Sequence, residues 1–417
     1  MTGLPDRWEH VTLSEVCTSF QYGWTSGAQA GSGLGLLRTT DLTHGPVNWQ
    51  EVPACKEAPK DVSKYLVHPG DVFISRAGSV GVSVLVEDVP RDCVFASYLI
   101  RLRSTARLTN RYLMYFLLSP FYWEQVTKAS AGIALQNINA SKLKRMRLPL
   151  APIAEQERIA TILEEQFSRL DSALTSIKVV REKAEAFHRS LLHSAIGGEF
   201  SDDRTRFELR ELQGLATSRA DITDGPFGSN LKSSHYVSSG PRVVRLANIG
   251  SGVFIDARAH ITTEHFLTLQ KHRVVAGDVL VASLGEDIPR ACVAPDFLGD
   301  AIVKADCIRV RPAPEVSSRY LAYALNSPQV KASALARIQG VTRPRINLRS
   351  LRTTVIPMPD LAEQQRLVAI LDEQFSRLEA ALEVASQLET RIATERRSLL
   401  HAAFTGELTS NWRRSLV

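Results

Sequence analysis

The chain has 417 residues, of which 44% are hydrophobic and 23% charged, a composition typical of soluble globular proteins with two or three domains. Its net charge of +6 and pI of about 9.1 permit nucleic-acid binding without requiring it. There is no signal-peptide pattern, no bilayer-spanning apolar stretch and no C-x-x-C pair among the five cysteines. We therefore expect a reduced, cytoplasmic protein without a membrane partner, zinc ribbon or disulfide framework.

The first part of the chain alternates apolar residues with turn residues, as strands of a mixed α+β domain do. "LTHGPVNWQEVP" from Leu42 and "VHPGDVFISRAGSVG" from Val67 are the clearest of these segments. "RYLMYFLLSP" from Arg111 then predicts a short amphipathic helix that ends at Ser-Pro.

A long helix is predicted next, because apolar side chains recur every three or four residues from Ile159 to Leu191. Pro149 and Pro152 mark its start, and Gly198 stands where a C-terminal cap is expected. About 45 residues would form a rod of roughly 65 Å.

The second half of the chain repeats the first. "AEQERIATILEEQFSRLDSAL" begins at Ala154 and "AEQQRLVAILDEQFSRLEAAL" at Ala362, a separation of 208 residues. "RYLAYALNSP" from Arg319 follows the same spacing, and "VVAGDVLVASLG" from Val274 is displaced by 207. A further strand pattern, "SGPRVVRLANIGSGVFI" from Ser239, precedes the segment that begins at Val274. Such internal similarity predicts two related structural halves.

The second long helix has its own boundary signals. Pro357 and Pro359 precede it, Asp360 and Glu363 have capping-box spacing, and Gly406 follows it. One apolar stripe of this length needs a partner, and the economical partner is the other copy, paired antiparallel as in a coiled coil. The alternative is two ordinary bundle helices that pack on separate domains.

Motifs for catalysis are missing from the sequence. It contains no acidic-x-Lys pair of Mg²⁺ nucleases, no [DN]PP[YF] loop of amino-methyltransferases, no H-x-x-x-H or H-E-x-x-H spacing and no G-x-S-x-G. "GPFGSNLKSS" from Gly225 lacks the Gly-Lys-[Ser/Thr] ending of a phosphate loop, so it is either a surface turn or a loop that contacts DNA phosphate. We expect no active site and no metal site in this chain.

Two basic clusters occupy the same place in the two halves. They are compatible with a solvated face or with DNA contacts. Their members are Lys142, Lys144, Arg145 and Arg147 in the first half, and Arg343, Arg345, Arg349 and Arg352 in the second.

The duplicated P-x-x-x-x-A-E-Q-x-R-[IL]…L-x-E-Q-F-S-R-L block with its G-E-[FL] ending resembles the specificity (S) subunit of Type I restriction–modification systems. The G-D strand of each half and the G…N-x…L…[LI]-P-[LM] approach to each helix resemble it as well. The resemblance implies an α+β protein with a pseudo-two-fold internal repeat. Residues 1–150 and 201–356 would be target recognition domains, and residues 151–200 and 357–417 antiparallel, coiled-coil-like helical spacers.

The resemblance also implies a function, a set of partners and the cofactors of those partners, which are expectations at this point. The subunit would be non-catalytic, each recognition domain would read one half of a bipartite sequence in double-stranded DNA, and the helices would set the gap. Two methyltransferase subunits, with or without two motor-nuclease restriction subunits, would be its partners. S-adenosylmethionine, ATP and Mg²⁺ would belong to those partners, and no cofactor to this chain. The alternatives are a coiled-coil scaffold that binds protein and a fused restriction–methylation enzyme.

DNA contacts are expected from polar and basic side chains in loops outside the long helices. The candidates in the first half are Arg38, Thr39, Arg76, Ser79, Lys128, Gln136 and Asn137. The candidates in the second half are Asn230, Lys232, Ser233, His235, Arg245, Asn248, Arg343 and Arg345.

Overall fold

The computed structural model describes residues 4–43, 45–130, 137–202, 204–336 and 344–415. The chain forms two compact units. The first combines Met1–Ile177 with Ser386–Val417, and the second is Lys178–Ala385. Each unit thus contains the globular part of one repeat and a part of each long helix, whereas the sequence-based boundaries treat the helices as separate segments.

The first unit is built on an antiparallel four-stranded sheet. In spatial order its strands are Cys17–Tyr22, Leu99–Ser104, Val72–Ser75 and Ser83–Leu85. A second sheet orders Ala28–Gln29, Ala54–Cys55, Gly35–Leu37 and Cys93–Phe95, and Glu9–Thr12 pairs with Arg147–Leu150. The short helices are Leu13–Val16, Asn110–Leu118, Pro120–Ser130, Ala140–Lys144 and Ser410–Arg414.

The second unit repeats this plan, with a four-stranded antiparallel sheet of the same connectivity. Its strands in spatial order are Ile222–Asp224, Cys307–Val310, Val279–Ala282 and Arg290–Val293. A three-stranded sheet orders Val237–Val244, Ala301–Val303 and Arg273–Val274, and Glu208–Glu211 pairs with Val355–Met358. The short helices are Thr263–Thr268, Ser318–Asn326, Pro328–Leu335 and Leu348–Arg352.

The Gly-Asp pair in each half is explained by a buried ion pair at the start of a central strand. Asp71 and Asp278 have side chains only 4% and 1% exposed. Arg101 approaches Asp71 at 3.2 Å, and Arg311 approaches Asp278 at 2.8 Å. The preceding glycines have φ of 89° and 82°, a left-handed conformation that glycine adopts without strain. Charge pairing therefore constrains the same turn in both units.

The two long helices begin and end where the sequence predicts. They are Ile153–Gly197 and Leu361–Thr405, each of 45 residues. Gly198 and Gly406 follow them with φ of 87° and 81°, as helix caps do. The Asp360 carboxylate accepts a hydrogen bond from the Glu363 amide at 2.9 Å, which satisfies one free donor of the first turn.

Within the first unit the two helices run antiparallel. Leu163 belongs to the same buried cluster as Leu400 and Phe404, while Asp171, further along the first helix, forms an ion pair with Arg396. Moving forward along one helix thus means moving backward along the other.

The second unit has the same antiparallel arrangement. The His188 ring stacks on Phe375 with ring centroids 4.2 Å apart, and Ile196 shares a buried cluster with Leu367. The predicted antiparallel pairing is therefore confirmed within each unit.

The segment that begins at Leu42 is not the strand that its alternation predicted. A 3-10 turn covers Thr39–Leu42, and turns continue until the strand Ala54–Cys55. Asn48 accounts for part of the difference, since its carbonyl accepts a hydrogen bond from the Glu51 amide at 3.0 Å and closes a turn. The predicted helix after Arg111 is confirmed as Asn110–Leu118, but Ser-Pro then starts a second helix.

The base of the first long helix carries a buried carboxylate that binds both ends of the chain. Glu155 is 3% exposed and accepts hydrogen bonds from Trp8 Nε1 at 2.9 Å and Thr409 Oγ1 at 2.6 Å. Arg413 forms an ion pair with the same carboxylate. N-terminal and C-terminal residues of the first unit are thus held together by one acid.

Replacing this acid should destabilise the first unit. We expect Glu155→Gln to lower the free energy of unfolding by about 2 kcal/mol, because Arg413 loses its counter-ion in a mostly buried place. Urea denaturation followed by circular dichroism measures the loss. Glu363→Gln, at the equivalent place of the second repeat, is the control and should cost less, since its partner Arg366 is 46% exposed. Equal losses in the two variants would contradict this assignment.

Candidate nucleic-acid interface

One end of the four-stranded sheet of the first unit presents a cation stacked on an aromatic ring. Tyr22 ends its strand and is 37% exposed, and the guanidinium of Arg76 lies 4.8 Å from its ring centroid. The Tyr22 hydroxyl accepts a hydrogen bond from the Ala140 amide at 2.9 Å. Next to it, a Cβ on Gly23 would lie 2.2 Å from the Phe95 carbonyl oxygen, so only glycine permits this crossing.

Arg76 is held in place by its backbone and by the ring rather than by an acid. Its amide donates to Tyr98 O at 2.9 Å, and its carbonyl accepts from Ile138 N at 3.0 Å. Its Nε atom is buried without a hydrogen-bond partner, and no ion pair of Arg76 is found among the described residues. Tyr98 beside it is 60% exposed. We call Tyr22, Arg76, Tyr98 and Asn137 the first sheet end.

The same strand carries a second cation–aromatic pair. Lys144 Nζ lies 5.6 Å from the ring centroid of Phe20, two residues before Tyr22 and therefore on the same face of the strand. Lys144 belongs to the first basic cluster. Basic groups interleaved with aromatic rings are the pattern by which proteins bind nucleic-acid backbones and bases.

The equivalent end of the second unit also holds a guanidinium over a ring. The guanidinium of Arg345 lies 5.3 Å from the ring centroid of Phe227, which is 45% exposed. Unlike Arg76, Arg345 has an acid partner, because its Nη2 atom lies 2.8 Å from Asp306. We call Phe227, Ser283, Asp306 and Arg345 the second sheet end.

Most candidates of the second half gather beside a second ring, Tyr236. Lys304 Nζ lies 5.3 Å and the Arg245 guanidinium 6.0 Å from its centroid. Asn230 lies in the 3-10 turn Gly228–Asn230, Ser233 and His235 in the 3-10 turn Ser233–His235 that leads to Tyr236, and Lys232 is the N-cap of the second turn. The side chains of Asn230, Lys232 and Ser233 are exposed, and His235 is half-buried. The loop from Gly225 is therefore a polar, cation-rich surface.

The remaining candidates of the first half are more dispersed. Arg38 forms a 2.8 Å ion pair with Asp41, and the side-chain hydrogen bond between them raises the pKa of the guanidinium. Thr39 is half-buried in the adjoining turn and Ser79 half-buried in the turn after Arg76. Lys128 pairs with Glu124 on an exposed helix face.

Three candidates differ from the others, because one is buried and two lie outside the described residues. Asn248 is 1% exposed, and its amide oxygen accepts from Arg245 N while its nitrogen donates to Ile255 O and Ala257 O. Its prediction as a DNA contact gains no support from this place, because all of its groups already hold a loop. Gln136 and Arg343 lie outside the described residues.

Sequence reasoning missed the aromatic residues of both sheet ends and of the surface around Tyr236. Tyr22, Tyr98, Phe227 and Tyr236 were absent from the candidates, as was Lys304. The available signal was an aromatic residue at or just after a strand end, close to glycine, as in "YG" at Tyr22 and "GPFG" at Gly225.

Metal-ligating groups and cysteine thiols are two kinds of catalytic group that the described part of the chain allows to be assessed. No group of three or more His, Cys, Asp or Glu residues there could hold a metal ion. Burial raises the pKa of Cys17, Cys93, Cys292 and Cys307 to about 12, so their thiols are poor nucleophiles at neutral pH. No helix in the ranges that the structure describes is long and apolar enough to cross a membrane.

The second unit also contains a cavity of about 620 Å³ beside its helix pair. Its polar groups are engaged with one another: the Tyr323 hydroxyl donates to Asp372 at 2.5 Å, and Lys331 Nζ contacts Asp287. Desolvation, with Lys331 close by, lowers the pKa of His188 and favours its neutral ring. The cavity is lined mainly by residues of the two long helices and of the helix Ser318–Asn326.

Comparison with known proteins matches each repeat to one family. The family described as "Type I restriction modification DNA specificity domain" covers residues 5–179 and 231–389. The chain is 24% identical to the StySPI specificity subunit of Salmonella potsdam over 98% of this chain and 91% of that protein. It is 20% identical to the EcoBI specificity subunit of Escherichia coli, over 99% of this chain and 89% of that protein.

Two solved structures share the fold. One is a chain from work on complex assembly and conformational transition of the type I R-M system, with a TM-score of 0.77 and 19% identity over 97% of this chain and 99% of that one. The other is the HsdS subunit from Thermoanaerobacter tengcongensis, with a TM-score of 0.56 and 19% identity over 97% and 98% of the two chains. At these identities the likeness concerns the fold.

Proposed function

Because this chain belongs to the family of Type I restriction modification DNA specificity domains, we propose that each of its two target recognition domains reads one half of a bipartite DNA sequence. The observation that carries this proposal is the cation–aromatic surface at each sheet end. Arg76 over Tyr22 and Arg345 over Phe227 lie at the same end of a repeated sheet. Both rings and Arg345 are exposed, and Arg76 is half-buried. A basic, aromatic surface duplicated in this way suits two separate contacts with one duplex.

The long helices are proposed to set the gap between the half-sites. A continuous helix of 45 residues holds its length, whereas a flexible linker would allow a range of separations. Neither helix has a proline inside it, so neither contains the residue that most often kinks a helix.

Two methyltransferase subunits are the proposed protein partners, docked on the helices. Exposed apolar side chains support this: Val180, Phe187 and Val384 are 47%, 48% and 54% exposed on the helical parts of the second unit. Exposed apolar side chains that form a contiguous patch mark protein interaction surfaces, and Val180 and Phe187, seven residues apart, share one face of their helix. In this proposal S-adenosylmethionine binds the methyltransferase subunits, and ATP and Mg²⁺ bind restriction subunits where the system has them.

We further propose that the protein acts in the cytoplasm. All five cysteines are free and buried, which suits a reducing compartment.

Mapping N6-methyladenine tests the function directly. The chain, co-expressed with its methyltransferase partner in a host without adenine methylation, should produce one split, asymmetric motif. Omitting the chain should abolish it. DNA binding should weaken by orders of magnitude between 50 and 200 mM salt, because phosphate contacts release counter-ions. A methylome without a bipartite motif, combined with salt-insensitive partner binding, would favour a protein scaffold instead.

Charge placed on the apolar helix face should prevent assembly. We expect the double variant Phe187→Glu with Val384→Glu to lose the methyltransferase subunits during co-purification, since a carboxylate in an apolar interface lacks a partner. Lys183→Gln, an exposed position on the same helix, is the control and should assemble normally. Normal assembly of the double variant would place the docking surface elsewhere.

Helix length should control the gap. Deleting seven residues, two helical turns, from the middle of each long helix removes about 10 Å and should shorten the gap by about three base pairs. The half-sites themselves should not change. Inserting seven residues at the same places should lengthen the gap equally. Altered half-sites with an unchanged gap would refute the spacer role.

A further inference from the structure

The two sheet ends present the same chemistry from different positions of the repeat. Arg76 donates its amide hydrogen to Tyr98 O at 2.9 Å, and Ser283 donates its own to Asp306 O at 3.0 Å. Arg76 and Ser283 are therefore structural equivalents, and so are Tyr98 and Asp306.

A second pair of hydrogen bonds extends this correspondence. Ile138 N donates to the carbonyl of Arg76 at 3.0 Å, and Ile346 N donates to that of Ser283 at 2.8 Å. The residue before each isoleucine is Asn137 in the first unit and Arg345 in the second.

Each sheet end thus has one arginine and one small neutral polar residue, in exchanged positions. The arginine comes from the turn after a central strand in the first unit and from the segment before a short helix in the second. In both units the guanidinium lies over an aromatic ring, at 4.8 Å from Tyr22 and 5.3 Å from Phe227. Both units therefore place a guanidinium over a ring, although the arginine comes from a different position of the repeat in each. This indicates that each unit needs the guanidinium at its sheet end, whichever position of the chain supplies it.

From this arrangement we propose that Arg76 and Arg345 each read a guanine in the major groove, one in each half-site. The inference rests on the proposed function and adds the residue and the base. Arginine donates two parallel hydrogen bonds to guanine O6 and N7 from a planar fork, a geometry that the ammonium of lysine does not hold fixed. Stacking on a ring fixes the plane of the guanidinium before DNA binds, which reduces the entropy lost on binding.

The two arginines differ in how their charge is balanced. Arg76 Nε is buried and unpartnered, so its terminal nitrogens are the donors left for a ligand, and it has no acid partner among the described residues. Arg345 has Asp306 at 2.8 Å from one terminal nitrogen, which orients the group and engages only part of its five N–H donors. Lys304, 5.3 Å from the Tyr236 ring, adds a cation in the second unit for phosphate contact.

The test uses the chain assembled with its methyltransferase subunits and compares methylated motifs. We expect Arg76→Gln to relax one guanine position in one half-site, by roughly tenfold to a hundredfold in preference, while the other half-site is unchanged. Arg345→Gln should do the same in the other half-site. Arg76→Lys should retain the salt dependence of binding but relax the same position, because it keeps the charge and loses the fork. Arg107→Gln is the matched control, an exposed arginine of the first unit paired with Glu9, and should leave the motif intact.

Modified DNA separates base reading from phosphate contact. Replacing the identified guanine by 7-deazaguanine removes the N7 acceptor, so it should weaken binding of the unaltered chain and have little further effect on the Arg76→Gln complex. Uniformly weaker binding to all sequences, with no effect of 7-deazaguanine, would overturn the inference and leave the proposed function standing. A half-site that contains no guanine would also overturn the inference and leave the proposed function standing. A complex that methylates no bipartite motif at all would overturn the proposed function first.

Discussion

The structure depends on a buried glutamine at the base of each long helix. Gln156 is fully buried, accepts a hydrogen bond from Thr109 N at 2.9 Å and donates to Arg107 O and Ala151 O at 2.8 Å each. Two of these hydrogen bonds join the long helix to the segment before the helix Asn110–Leu118 of the recognition domain, and the third fixes the residues just before the long helix. One amide therefore couples helix to domain in the first unit, and it cannot be replaced without leaving buried partners unsatisfied.

The second unit has the same coupling through Gln364. Its amide oxygen accepts from Ser317 N at 2.8 Å, and its nitrogen donates to Pro359 O at 2.9 Å. A tyrosine hydroxyl reinforces each joint, since Tyr112 donates to Pro149 O at 2.7 Å and Tyr320 to Pro357 O at 2.8 Å. The Ala-Glu-Gln motif is therefore repeated because its glutamine has a definite set of buried partners in each half. The position of each recognition domain on its long helix therefore depends on how rigidly these glutamine hydrogen bonds hold the two together.

Elements governed by backbone and burial could be predicted from the sequence, and exposed contacts could not. Gly198 and Gly406 identified the helix ends because a left-handed residue is needed there. By contrast, nothing in the residue string indicates that Arg76 lies over Tyr22, since the two are far apart in the chain and meet only when a sheet forms. Asn248 is of a residue type that often contacts DNA, and in the structure its buried amide stabilises a loop. Residue type alone does not distinguish an exposed amide from a buried one.

The contrast between a repeated framework and unlike surfaces bears on the symmetry of the target. Buried groups such as Asp71 and Asp278 are the same in both units because each buried carboxylate needs an arginine as its ion-pair partner. Positions at the sheet ends are free of that constraint, and there the half-buried Arg76 is replaced by the buried Ser283, and the exposed Tyr98 by the half-buried Asp306. Identical surfaces related by two-fold symmetry would match a palindrome. Because the framework is repeated while the groups at the two sheet ends differ, the proposed reading of two half-sites would require unlike half-sites, and the target would then be directional.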